Sequence, residues 1–133
     1  VASSSRSLLK TLVVAVSLAA LAACNRGPLQ LETIQLGRSL NPDNTVAGHT
    51  STFARNDTIY VSVLTTDAGS GTIGVKWMYE GSVIGEPSKQ VSFNGPGATS
   101  FQLVNAGGFP PGDYSVEVFI DGRLVGTRRF HVQ

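Results

Sequence analysis

The groups whose type and spacing could do chemistry are one thiol, two imidazoles and one glycine-rich run. The thiol is Cys24, the only cysteine in the chain. A catalytic thiolate needs a neighbour that lowers its pKa, and no histidine lies near Cys24 in the sequence. The histidines are His49 and His131. Zinc asks for three or four converging ligands, and no His-x-x-x-His spacing occurs, so no metal is expected. Gly69-Ser70-Gly71-Thr72-Ile73-Gly74 matches G-x-G-x-x-G. That pattern cradles a pyrophosphate only where it opens a helix. Here the strand-like VKWMY follows, so these glycines are expected to make a turn. No G-x-S-x-G elbow is present, and Glu80 and Asp121 each precede a glycine, as turn residues do. The expectation is a protein that is not an enzyme and carries no cofactor beyond what Cys24 itself can bear.

The surroundings of Cys24 suggest a different chemistry for it. Arg6 and Lys10 precede the uncharged TLVVAVSLAALAA, Thr11 to Ala23, thirteen residues long. A basic start, a short apolar core and small residues before a cut site make a secretory signal. The apolar run falls short of the roughly 20 residues that span a bilayer. The closing Leu21-Ala22-Ala23-Cys24 resembles the lipobox of bacterial lipoproteins. The resemblance implies a diacylglycerol on the Cys24 sulfur, cleavage just before Cys24, and acylation of the new amine, with palmitate among the chains. At about 0.8 kcal/mol per buried CH₂, two or three acyl chains make a stable anchor. In that family an Asp after the cysteine retains the protein at the inner membrane, and this chain has Asn25. The resemblance therefore implies the outer membrane, facing the periplasm, or the outer face of the cytoplasmic membrane in a one-membrane cell.

The elements follow from that division. Residues 1–23 read as a cleaved signal helix, 24–29 as a lipidated tether, and 30–133 as one folded domain. Removing 1–23 from the 133 residues leaves 110, enough for a modest core. Arg6 and Lys10 leave with the signal, so ten basic residues become eight against nine acidic. Such a balance leaves no electrostatic footprint for nucleic acid. A single cysteine excludes an intramolecular disulfide.

A first strand is expected near 30–37, then a polar loop over 38–57 plugged by Phe53. From Thr58 the hydrophobic period is two. Ile59, Val61 and Val63 share a face, as do Ile73, Val75, Trp77 and Tyr79. Val91 with Phe93, Phe101 with Leu103, and Tyr114, Val116, Val118 and Ile120 continue the pattern, and Leu124, Phe130 and Val132 close it. About seven short strands with such turn signals predict an all-β, antiparallel β-sandwich of immunoglobulin-like type. Trp77 matches that fold's core Trp on the third strand. Tyr114, after Pro111-Gly112-Asp113, resembles its tyrosine corner. Val61 or Val63, together with Val116, is expected to fill the place of the missing disulfide by packing alone. VKWMYEGSVIG (75–85) and VEVFIDGRLVG (116–126) match at an offset of 41 and predict two hairpins turning on Glu-Gly and Asp-Gly.

Function is expected to be binding in the cell envelope, to a protein partner. The candidate contact residues are Arg123, Arg128 and Arg129 on the last hairpin and Phe109 in GGFPPG. Arg123, Arg129 and His131 share a parity and could form a basic stripe. The chain also resembles small bacterial lipoproteins that carry one β-sandwich. An alternative is a carbohydrate- or peptidoglycan-binding module using Tyr60, Met78 and Phe119. Another is a protease inhibitor presenting GSGTIG or GGFPPG.

Overall fold

The computed structural model describes residues 27–133. The expected signal helix and Leu21, Ala22, Ala23 and Cys24 lie outside the described residues. The described residues form nine strands in chain order: β1 (Leu31–Gly37), β2 (Thr52–Phe53), β3 (Ile59–Thr65), β4 (Gly69–Tyr79), β5 (Ser82–Gly85), β6 (Ser88–Phe93), β7 (Gly97–Leu103), β8 (Gly112–Ile120) and β9 (Arg123–Val132). One sheet has the order β1-β3-β7. The other has the order β2-β9-β8-β4, with β5 and β6 dividing the far side of β4 between them. All these strand pairs are antiparallel except β2 on β9.

The inner faces make one core because the long strands alternate over most of their length. Ile59, Val61 and Val63 from one sheet and Ile73, Val116 and Val118 from the other are fully buried. Trp77 is buried among them and meets Phe130 edge-on at 6.1 Å. Val61, Val63 and Val116 belong to this core cluster. The β-sandwich is immunoglobulin-like, as the alternation predicts, but four details differ from the sequence reading.

First, nine strands are present because Glu86-Pro87 divides β5 from β6 and the 38–57 segment adds a short strand. Proline has no N–H to give a ladder, yet the Pro87 carbonyl still accepts from Val75 N at 3.0 Å. Second, that added strand is β2, in the segment expected to be loop; its Phe53 is buried and packs edge-on against Phe130 at 5.5 Å. Third, GSGTIG is the first half of β4 rather than a turn. A Cβ at Gly69 would stand 2.9 Å from the Gly27 carbonyl, so the glycine lets the incoming chain cross the strand closely. Fourth, Leu124 is 53% exposed although its parity matches Phe130 and Val132. A bulge at Val125 reverses the faces between them. A bulge at Glu32 likewise explains the imperfect alternation of β1, whose Leu31 and Ile34 both turn inward.

The two matched hairpins agree beyond their letters. Glu80 and Gly81 have φ of 48° and 81°, and Asp121 and Gly122 have 50° and 80°. Two consecutive positive φ values make type I′ turns, whose twist suits a hairpin. Each hairpin also carries its bulge at the same place, Ile84 in one and Val125 in the other.

The rest of the 38–57 loop folds onto the outer face of the three-stranded sheet. Val46 is buried there and its N–H donates to the Gln35 side chain at 3.0 Å. Ser62 Oγ donates to the Asn44 carbonyl at 2.6 Å. Asp57 accepts from Ala54 N at 2.8 Å and from Arg38 Nε at 2.9 Å, which holds its carboxyl below the usual carboxylate range.

Candidate functional site

The domain has two poles. At one, Pro28 bridges Ser70 at the start of β4, beside the β8–β9 turn at Asp121-Gly122. At the other, β4 ends at Tyr79, β7 ends at Leu103 and β8 begins at Gly112. Nine residue steps along β4 lead from Ser70 to Tyr79, a span of about 30 Å at 3.3 Å per residue.

The second pole is built around Tyr114. Its hydroxyl donates to the Pro110 carbonyl at 2.6 Å, which is the tyrosine corner expected from the sequence. Burial pushes the phenol above its ordinary pKa, and the neighbouring Tyr79 and Glu80 push the same way. Tyr79 lies 4.5 Å from the Tyr114 ring and donates to the Pro111 carbonyl at 3.1 Å. Phe109 N donates to the Arg55 carbonyl at 2.8 Å, and Arg55 Nε donates to the Phe109 carbonyl at 3.2 Å. GGFPPG is therefore pinned from three sides. Between it and β5 lies a groove of about 360 Å³, lined by Tyr79, Ile84, Leu103, Val104, Asn105 and Phe109. Val104 is 59% exposed and Ile84 is 44% exposed, two apolar side chains on the lining of one groove.

The predicted contact residues do not gather here. Of them only Phe109 reaches the groove, as a buried part of its lining packed edge-on at 6.1 Å from Tyr114. The three arginines do not share a face. Arg123 opens β9 before the Val125 bulge, so the expected stripe with Arg129 and His131 is broken. Arg128 turns toward the other sheet and donates through Nε to the Ile34 carbonyl at 3.3 Å. It closes one side of the sandwich, as Lys89 does on the other by donating to the Ser100 carbonyl and lying 4.9 Å from the Phe101 ring centroid. Arg129 faces outward beside Met78, Glu80 and Ser115. His131 Nδ1 lies 3.0 Å from Asp113 Oδ1, both exposed.

Tyr60 sits on the outside of one sheet, and Met78 and Phe119 on the outside of the other, so the three cannot form one row. Among the described residues no group of three or more His, Cys, Asp or Glu is placed to hold a metal. His49 lies in the 38–57 loop, where it bridges Gly37. The groove itself does not follow from the sequence reading. Its signal is the adjacent Val83-Ile84 in a short hairpin and Val104 after a strand, apolar residues with no alternation to bury them.

No family model matches the sequence, and no curated protein matches it. Solved structures do resemble the fold. An immunoglobulin-like protein of Pseudomonas aeruginosa superposes with a TM-score of 0.56 at 12% identity, over 80% of this chain and 98% of that one. An alkylpurine DNA glycosylase of Pseudomonas fluorescens superposes with a TM-score of 0.51 at 10% identity, over 80% of this chain but only 31% of that one. The likeness at these identities is one of fold, and the fold is immunoglobulin-like.

Proposed function

We propose that this chain is a lipid-anchored, non-enzymatic domain of the bacterial envelope that offers its far pole to a protein partner. Cys24 carries the lipid in this reading, after a signal that ends at Leu21-Ala22-Ala23. Asn25 directs it to the outer membrane, on the periplasmic face. The observation that supports the reading is the placement of the groove. The described chain enters at the Pro28–Ser70 pole, and the groove with Ile84 and Val104 lies at the other. A tether joined at Gly27 would stand the sandwich upright, with the groove about 30 Å from the point of entry. Groove walls fixed by hydrogen bonds lose little entropy on binding, which favours affinity.

Two measurements test it. Cys24→Ala should abolish palmitate labelling and release the protein from membranes; a variant that still labels and stays bound sinks the anchor. A photo-crosslinking residue at Val104 should capture an envelope protein that the same residue at Leu124 does not. Equal capture at both positions, or none at Val104, sinks the groove.

A further inference from the structure

The outer face of the six-stranded sheet carries a second, separate recess, and a glycine forms its floor. Gly74 lies in the interior of β4, where glycine weakens a strand. Its φ is not positive. A Cβ there would meet only Ser88 Cβ at 3.7 Å and the Pro87 carbonyl at 3.8 Å, ordinary contacts. Neither the backbone nor the packing asks for glycine at this position. An aromatic across the strand commonly closes over a strand glycine. Phe119 is the cross-strand partner of Gly74, but none of its atoms comes within 4 Å of that Cβ position. Its ring is matched instead to the Lys76 ammonium, 5.3 Å from the centroid.

The result is an open hollow of about 210 Å³ with Gly74 beneath it. The register sets its four sides: Phe119 on β8, Ser88 on β6, and Thr72 and Lys76 along β4. Lys76 Nζ and Glu86 Oε1 face each other at the rim, 3.7 Å apart. That is beyond hydrogen-bond reach, so an ammonium donor and a carboxylate acceptor stand side by side with capacity left over. The turn beside the recess is held in place, because Asp121 Oδ1 accepts from Thr72 N and Asp121 N donates to the Thr72 carbonyl, each at 2.9 Å.

We propose that this recess binds one pyranose ring of a glycan. Two neighbouring sugar hydroxyls match the rim: one donates to the Glu86 carboxylate while the other accepts from the Lys76 ammonium. The C–H side of the ring meets Phe119, and the Thr72 and Ser88 hydroxyls serve the remaining oxygens. The floor must be glycine so that the ring can reach the strand backbone. The hollow is smaller than the 300–1,000 Å³ usual for drug-sized ligands, which suits a single ring. The proposal is independent of the groove at the pole.

The full-length protein, purified in a detergent without a sugar headgroup, is applied to immobilised saccharides of glucose, galactose, mannose and N-acetylglucosamine. At least one is expected to be retained. Gly74→Val should weaken that retention tenfold or more while leaving Tm unchanged or higher, because Val is the better strand residue. Glu86→Gln should weaken it as well, and capture at Val104 should be unaltered in both variants. Retention of none of the four sugars overturns the proposal, as does retention undiminished by Gly74→Val. A Gly74→Val chain that fails to fold would give the glycine a structural reason and overturn it too.

Discussion

The β4–β5 and β8–β9 hairpins share a pattern, a type I′ turn and a bulge, yet they end in different surroundings. β8 lies between β4 and β9, and β9 packs near β1 of the opposite sheet. β5 has β4 on one side only, and Val83 and Ile84 are about half exposed. The matched glycines show the contrast most sharply. A Cβ at Gly126 would come 2.7 Å from Ile34 Cδ1, whereas one at Gly85 would meet Trp77 Cδ1 at an ordinary 3.5 Å. Local sequence dictates turn and bulge in both hairpins. The neighbouring sheet decides which glycine is crowded and which apolar side chains remain at the surface.

Mutations at matched positions can break or sharpen this contrast. The largest difference should come from Trp77 and Val118, both buried. Trp77→Ala should cost about 3–5 kcal/mol and Val118→Ala about 2 kcal/mol, read from urea midpoints at constant m. Next are the bulge glycines. Gly126→Ala should cost about 1–3 kcal/mol by overpacking, and Gly85→Ala under about 0.5 kcal/mol. Equal losses would mean that the sheets are not in contact at Ile34.

The turn glycines should behave alike, because a Cβ added at Gly81 or Gly122 would meet nothing within 4 Å. Each →Ala change should cost about 1–2 kcal/mol from the positive φ alone. A clear inequality in thermal melts would show that the turns are not autonomous.

A single hydrogen bond is at stake at the residue facing Tyr79 across β4 and β8. Tyr114→Phe should lose about 1 kcal/mol with the hydrogen bond to Pro110. Its folded pKa is raised above the ordinary 10.0, so the folded state holds the proton more tightly than the unfolded one. That stabilisation is complete below about pH 10 and is lost as pH rises through the folded value. Melts between about pH 8 and 11 should show this alkaline fall in the natural protein and a shallower one in Tyr114→Phe.

Alternation from Thr58 onward makes the two-sheet core legible, because a half-buried strand must place Ile59, Val61 and Val63 on one side. Pro111-Gly112-Asp113-Tyr114 makes the corner legible, because its hydrogen bond is local in sequence. Arg128 reads as a surface charge in the sequence, since its partner, the Ile34 carbonyl, lies 94 residues away. Leu124 reads as core because a bulge is set by the register of two strands and leaves little mark on one. GSGTIG reads as punctuation because the crossing of Gly27-Pro28 over Gly69 is a tertiary event. The groove is hidden for the same reason: Ile84, Val104 and Phe109 meet only after three separate segments converge.

The order in which the strands enter the six-stranded sheet bears on how the domain forms. β8 and β9 fill its middle but come last along the chain. Until they arrive, β4 can pair only with the short β5 and β6, and Phe53 waits for Phe130 and Val132. Pairings this distant in sequence raise contact order and slow the search. The domain should therefore stay unfolded through most of its synthesis and close only when β8 and β9 have emerged.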